Sequence, residues 1–232
     1  VTTTSGRDVF SGDQLSSLYA DRFNTAELES KRLLWETLCR GFFDRYIDPK
    51  STVLDLAAGS CEFINAIHAE RKIAVDLNPD TKLFARDAEV VLAPSDDMKQ
   101  IETASVDVVF TSNFFEHLPD KPALVRTLDE CHRVLRPGGR LMVLMPNIRY
   151  VGARYWDYFD HHLPLSHNSL VEGLRMTGYE PEQVIARFLP YTVKDSPLKV
   201  RPLMVKAYLR LKPAWRILGR QMFVVAKTVP KR

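Results

Sequence analysis

The sequence predicts an α/β fold built on one doubly wound, mostly parallel sheet. Three observations carry that reading. Between residues 50 and 146, short apolar runs alternate with longer amphipathic segments, the rhythm of strand–helix–strand units. The runs VLDLAA (53–58), KIAVDL (72–77), EVVLA (89–93), VDVVFTS (106–112) and RLMVLMP (140–146) are apolar at nearly every position, as strands covered on both faces must be. The clearest helix between them, 121–135, places Leu124, Leu128, Cys131 and Leu135 on one stripe.

In chain order, residues 15–46 read as helical, because Leu33, Leu34, Leu38, Phe42 and Phe43 recur at three- and four-residue steps until Asp48-Pro49 ends the pattern. The five strands follow, and Pro137-Gly138-Gly139 closes the 121–135 helix with a turn. After Pro146 the period fails. The stretch NIRYVGARYWDYFDHHLPLSHN (147–168) is dense in aromatic, His and Arg side chains, and it lies between a strand end and the next helix, where open α/β folds bind ligands. Ser169 and Glu172 have the spacing of a capping box and predict a helix start there. RQMFVVAKTV (220–229) reads as the last strand. The expected organisation is a single domain over 1–232. It comprises a helical cap (1–49), a central core (50–146), an aromatic cap (147–168) and a last part (169–232) that completes the sheet and carries a basic helical insertion.

With 45% hydrophobic and 26% charged residues, 232 positions suffice for one sizeable core. No apolar run approaches the roughly 18 residues of a bilayer span. The opening VTTTSGRDVFSGDQ lacks the basic-then-apolar pattern of an export signal, so a cytoplasmic location is expected. Cys39, Cys61 and Cys131 are an odd, scattered set, which fits buried thiols in a reducing compartment and neither a disulfide framework nor a paired zinc spacing. The net charge of +3 hides an asymmetry: the first 195 residues carry −7 and the last 37 carry +10, with no acid after Asp195.

The turn after the first strand decides the ligand class. A nicotinamide oxidoreductase needs G-x-G-x-x-G so that backbone N–H groups reach a pyrophosphate. Here the turn reads Ala57-Ala58-Gly59-Ser60-Cys61-Glu62, with one glycine at a fingerprint position and carboxylates at Asp55 and Glu62. That charge repels a pyrophosphate and suits a ligand with a positive centre.

VLDLAAGSCEF (53–63) resembles the first motif of the class I S-adenosylmethionine-dependent methyltransferases, an Asp followed by a G-x-G-x-G turn. Asp55 and Gly59 match it, while Ala57 and Cys61 stand where glycine is common. Asp76 in IAVDLNPD ends the second strand, where a carboxylate accepts from ribose hydroxyls; Leu77 follows it at the same tip. Asp97-Met98 resembles the pair that meets adenine, by side chain and backbone N–H respectively, with Asp96 as an equal register. VDVVFTSNFFEHL resembles the fourth motif, beside the sulfonium, and RVLRPGGRLMVLMPN the passage from helix to fifth strand. The resemblance implies a Rossmann-like class I fold, S-adenosyl-L-methionine as cofactor and S-adenosyl-L-homocysteine as product. Tyr19 and Arg22 in LYADRF resemble an N-terminal segment that contacts the methionine carboxylate, with Arg32 as another partner.

Methyl transfer from a sulfonium is an in-line displacement in which positioning is most of the task. Asn113 is expected at the cofactor or acceptor, and Phe114 or Phe115 offers a ring face to the positive sulfur. A hydroxyl acceptor loses a proton, so His117, His161 and His162 are the candidate bases. Asp157, Asp160 and the histidines share no recognised ligand spacing, so no metal is expected. The expected reaction is O-methylation of a small or carbohydrate-like acceptor. N-methylation is the alternative, and a nicotinamide oxidoreductase and a noncatalytic nucleoside-binding module are the rivals of other classes. The basic stretch 198–220 is expected to be cap helix packed on the sheet, with weak membrane-surface contact as its second reading and nucleic acid disfavoured by the acidic remainder.

Overall fold

The computed structural model describes residues 25–191 and 201–231. In chain order these form α1 (Thr25–Gly41), β1 (Thr52–Leu56), α2 (Glu62–Ala66), β2 (Arg71–Asp76), α3 (Thr81–Phe84), β3 (Glu89–Leu92), β4 (Val106–Ser112) and α4 (Lys121–Val134). Then come β5 (Leu135–Pro146), α5 (Ile148–Val151), α6 (His167–Met176), β6 (Tyr179–Ile185), α7 (Pro202–Arg210), α8 (Lys212–Leu218) and β7 (Gln221–Thr228). The seven strands form one sheet in the order β3-β2-β1-β4-β5-β7-β6. β1 to β5 are parallel, and β7 runs antiparallel between β5 and β6.

The unbroken apolar runs are explained by a core on each face. On one side Leu54, Val109 and Leu141 pack with Leu124, Leu128 and Cys131 of α4 and with Leu170 and Leu174 of α6. On the other, Val53, Phe110 and Phe223 pack with Leu38 of α1, Phe63 of α2 and Leu209 of α7. Phe63 and Phe110 stack at 3.6 Å between ring centroids, which ties α2 to β4 directly. α4 starts where its chemistry places it: Asp120 accepts from the Ala123 N–H at 2.8 Å, and Pro122 sits in the first turn.

Several expectations are corrected. The described part of the expected 15–46 helix is α1 followed by a 3₁₀ turn at Phe43–Tyr46; Tyr19 and Arg22 lie outside the described residues. Pro137-Gly138-Gly139 is an irregular stretch of β5 itself. Leu135 already pairs with Val106, and regular pairing resumes between Arg140 and Val108. Gly139 is required there because a side chain would come within 2.9 Å of the Arg136 carbonyl and 3.1 Å of the Asp107 carbonyl. Helix α6 begins earlier than Ser169. Its cap is Ser166, which forms a reciprocal capping box with Ser169. β6 has no counterpart in the sequence reading, because an edge strand of sequence YEPEQVI shows solvent much of its length and takes Pro181 at a register shift. In the basic stretch, Pro202 and Pro213 open helices. α7 packs Val205 and Leu209 into the core while Lys206 and Arg210 stay in water, as expected for a cap helix. Leu203, Leu211 and Ile217 remain exposed on the same two helices. Among the described residues no helix is long and apolar enough to cross a membrane.

Candidate active site

The chain reverses its progress across the sheet between β1 and β4, so a crevice opens at their carboxyl ends, the position at which such sheets bind ligands. β1 runs directly into the turn 57–61. Ala57, Gly59 and Cys61 hold φ of +57°, +51° and +60°. These are the three positions where the resembled motif carries glycine, so the left-handed shape is kept although two side chains pay about 1 kcal/mol or more each for it. Packing offsets part of that strain: Cys61 is fully buried, and its N–H donates to the Ala58 carbonyl at 2.8 Å.

Asp55, 4% exposed, accepts the Ile64 N–H and so satisfies the first turn of α2, which its own cap residue Cys61 does not. Burial, and then the nearby Glu62, raise its pKa well above the usual carboxylate range. Asp76 latches the two strand tips together. Its Oδ2 accepts from the Gly59 N–H at 2.7 Å and its Oδ1 from the Asn78 N–H at 2.8 Å. A carboxylate has about four acceptor positions, so room for a ribose hydroxyl remains. Burial raises the Asp76 pKa as well, against these N–H bonds. Leu77 is half-buried beside it, and Lys31 of α1 reaches Glu62 at 2.6 Å across the turn.

The adenine-side expectation is altered. Asp97 is exposed and pairs with Lys99, and Asp96 pairs with Arg126 of α4. The Met98 N–H, expected to face a ring nitrogen, donates to Glu130 Oε1 at 2.7 Å, so it is already taken. Arg32 is likewise occupied, by Glu29 and Glu36 of its own helix.

β4 delivers the third wall. Asn113, exposed at its tip with φ +50°, donates from its amide to Ser112, and Phe114 is half-buried while Phe115 is core. The 3₁₀ turn Phe115–His117 then presents Glu116 and His117. The Glu116 carbonyl accepts both the His162 and Leu163 N–H groups, at 2.8 and 3.0 Å, which docks the aromatic cap against this turn. The docking gathers Glu116, His117 and His161, whose potential ligand atoms lie within 4.8 Å of one another. His117 Nδ1 lies 2.9 Å from the Asp160 carbonyl and His161 Nδ1 2.9 Å from the Tyr155 carbonyl. A carbonyl only accepts, so both Nδ1 atoms carry hydrogen, and Nε2 is the atom that bears the lone pair of the neutral ring. Glu116 is 1% exposed, and burial pushes its pKa up to about 7. His161, 8% exposed, is held down to about 4 by burial and by His117. The ring of His162 stands outside this group, its buried Nε2 without a partner among the described residues. Glu116 and Tyr155 were not singled out by the sequence; the signal available was the EH pair directly after an apolar run.

Residues 54–143 match the methyltransferase domain family. Over those residues the chain carries a class I, S-adenosylmethionine-dependent methyltransferase domain. This methyltransferase is 26% identical over 171 residues to a demethylmenaquinone methyltransferase of Symbiobacterium thermophilum, covering 67% of this chain and 68% of that one. It is 39% identical over 87 residues to a probable S-adenosylmethionine-dependent methyltransferase of Mycolicibacterium smegmatis, covering 37% of this chain and only 33% of the relative. In fold it is similar to a methyltransferase solved in complex with the Haloferax volcanii Trm112 activator. The TM-score is 0.68 at 18% identity, with 96% of this chain and 99% of that one covered.

Proposed function

We propose that this methyltransferase transfers the methyl group of S-adenosylmethionine to an oxygen of a small or carbohydrate-like acceptor held beside the β4 tip. The observation that carries the reading is the pair of imidazole rings of His117 and His161, each oriented by a carbonyl behind it so that Nε2 faces away, in a largely buried polar cluster. A hydroxyl nucleophile needs a proton acceptor at such a place, whereas a neutral amine does not. The cofactor's ribose is assigned to Asp76 and Leu77, its methionine end to the turn at Ala57 and Gly59 with Asp55 as the negative charge behind it, its adenine to the side of Asp97, and its sulfonium to the Asn113–Phe114 wall. The assignment to Asp55 and Asp76 is supported by their places near the ends of adjacent strands; Met98 is assigned to packing, since its N–H is committed to Glu130. The accessible rings of Tyr150, Trp156 and Tyr158 are suited to stacking on sugar or ring faces, with the buried Tyr155 packed behind them.

The test is S-adenosylhomocysteine release, followed by mass spectrometry, with panels of saccharides, diols, phenols and amines. Products methylated on oxygen are expected. His117→Ala and His161→Ala are expected to lower turnover by about 10²-fold or more with cofactor affinity retained. Methylation of amines alone, or wild-type rates in both variants, overturns the oxygen reading.

A further inference from the structure

The cluster at the β4 tip has the composition of a cation site. Two imidazoles keep Nε2 as the atom open to a ligand, each ring oriented by an Nδ1–H donated to a backbone carbonyl, the outer-shell arrangement that orients metal-binding histidines. A third donor stands with them. Among the described residues Glu116 Oε2 is buried and has no hydrogen-bond partner, an arrangement that costs stability unless something is bound there. The buried Tyr155 hydroxyl is a second atom without a partner among them. We propose that Glu116, His117 and His161 bind one divalent first-row transition cation, Mn²⁺, Co²⁺ or Zn²⁺.

Ligand chemistry selects that class. Imidazole donors favour these ions, while Mg²⁺ and Ca²⁺ prefer all-oxygen sites. Bonds of about 2.0–2.2 Å put ligand atoms up to about 4 Å apart. The potential ligand atoms lie within 4.8 Å of one another, slightly wider than that, so an ion would draw them together. Three protein ligands leave positions open, the pattern of a catalytic rather than a structural site. The half-buried His117 gives the ion access from solvent, and Asp160 Oδ2, 3.5 Å from His117 Nδ1, reinforces the carbonyl behind that ring. The sequence conceals the set because two ligands are adjacent and the third lies 44 residues on, brought back only by the bonds from residues 162 and 163 to the Glu116 carbonyl.

The role of the ion rests on the O-methylation reading above; its binding does not. An acceptor hydroxyl bound at an open position loses its proton to water more readily. The oxygen then attacks the methyl carbon, the O–C bond forms as the C–S bond breaks, and S-adenosylhomocysteine leaves with the sulfur's electron pair. With the ion bound, the imidazoles act as ligands in place of the base role assigned to them above, and the proton passes to solvent.

The experiment is titration of chelator-stripped full chain with Co²⁺, read by visible absorption, and with Mn²⁺ and Zn²⁺, read by calorimetry. S-adenosylhomocysteine binding is measured in parallel. One ion per chain is expected, with nitrogen-ligand Co²⁺ bands, and Glu116→Gln and His161→Ala are each expected to weaken uptake at least 10-fold while still binding S-adenosylhomocysteine as wild type does. If a variant loses S-adenosylhomocysteine binding as well, His117→Gln replaces it, and uptake retained there counts against the site. No saturable uptake by wild type, or uptake equal in the variants, overturns the proposal even when the nucleoside binds. Specific uptake without O-methylation of any acceptor supports the site and sinks the assigned reaction instead.

Discussion

Ala57 and Cys61 show how a backbone shape outlives the residue type that makes it cheap. Both sit at φ near +60°, where a Cβ crowds the following carbonyl. Ala57→Gly removes roughly 1–2 kcal/mol of that strain and adds about 0.5–1 kcal/mol of unfolded-state entropy. A net gain is expected, seen as a Tm higher by about 1–4 °C. Ala57→Val is expected to lower Tm, because a β-branched side chain is a true outlier in that region; an unchanged Tm in both contradicts the strain. Asp55 gives a proton-linked prediction. Its pKa is raised by burial, so its contribution to stability is complete below the ordinary carboxylate value and is lost as pH rises through the raised one. A cationic ligand group nearby favours the ionised form. Binding of S-adenosylmethionine is therefore expected to release a proton, and its affinity to rise with pH between those two values. Calorimetry in phosphate and in Tris should give unequal enthalpies, and Asp55→Asn should make them equal.

The element that holds the third-strand loop in place is α4. Glu130 accepts the Met98 N–H, and Arg133 grips Glu130 through two bonds of 2.7 and 2.8 Å while its other N–H groups reach the Met98 and Ile101 carbonyls. Arg133→Ala is expected to cost about 1–3 kcal/mol and to speed hydrogen exchange at Met98 and Ala104, whose N–H groups depend on Glu130 and on the helix end. Exchange unchanged at both positions would contradict the clamp. This clamp was illegible in the sequence, where RVLRPGG reads only as a helix ending, because its partners lie about thirty residues upstream. The five parallel strands were legible because burial on both faces leaves continuous apolar runs. β6 was not, since an edge strand interrupted by Glu, Pro and Gln has no such run. The same logic governs the site: Asp76 shows as an acid at a strand tip, whereas the grouping of Glu116 with His161 is created by backbone bonds between distant segments.

On the proposed reading, cofactor grip and acceptor site are separable parts of one crevice across the whole molecule. The first depends on the tips of β1 and β2, joined by the Asp76–Gly59 bond; the second depends on the cap docked at the β4 tip through main-chain bonds to the Glu116 carbonyl. Side-chain changes at Glu116 leave those main-chain bonds intact, so they should not disturb nucleoside binding. A ligand present at 100 times its Kd stabilises by about 2.7 kcal/mol, which for a chain of this size is a Tm shift of about 5–11 °C. Wild type and Glu116→Gln are expected to share that shift with S-adenosylhomocysteine. Asp76→Ala is expected to weaken binding by about 1–3 kcal/mol through lost charged hydrogen bonds, so that at the same concentration roughly a third to nine-tenths of the shift disappears. Equal shifts in wild type and Asp76→Ala would remove the β2 carboxylate from the nucleoside site, and a shift lost in Glu116→Gln would mean that the two parts are one.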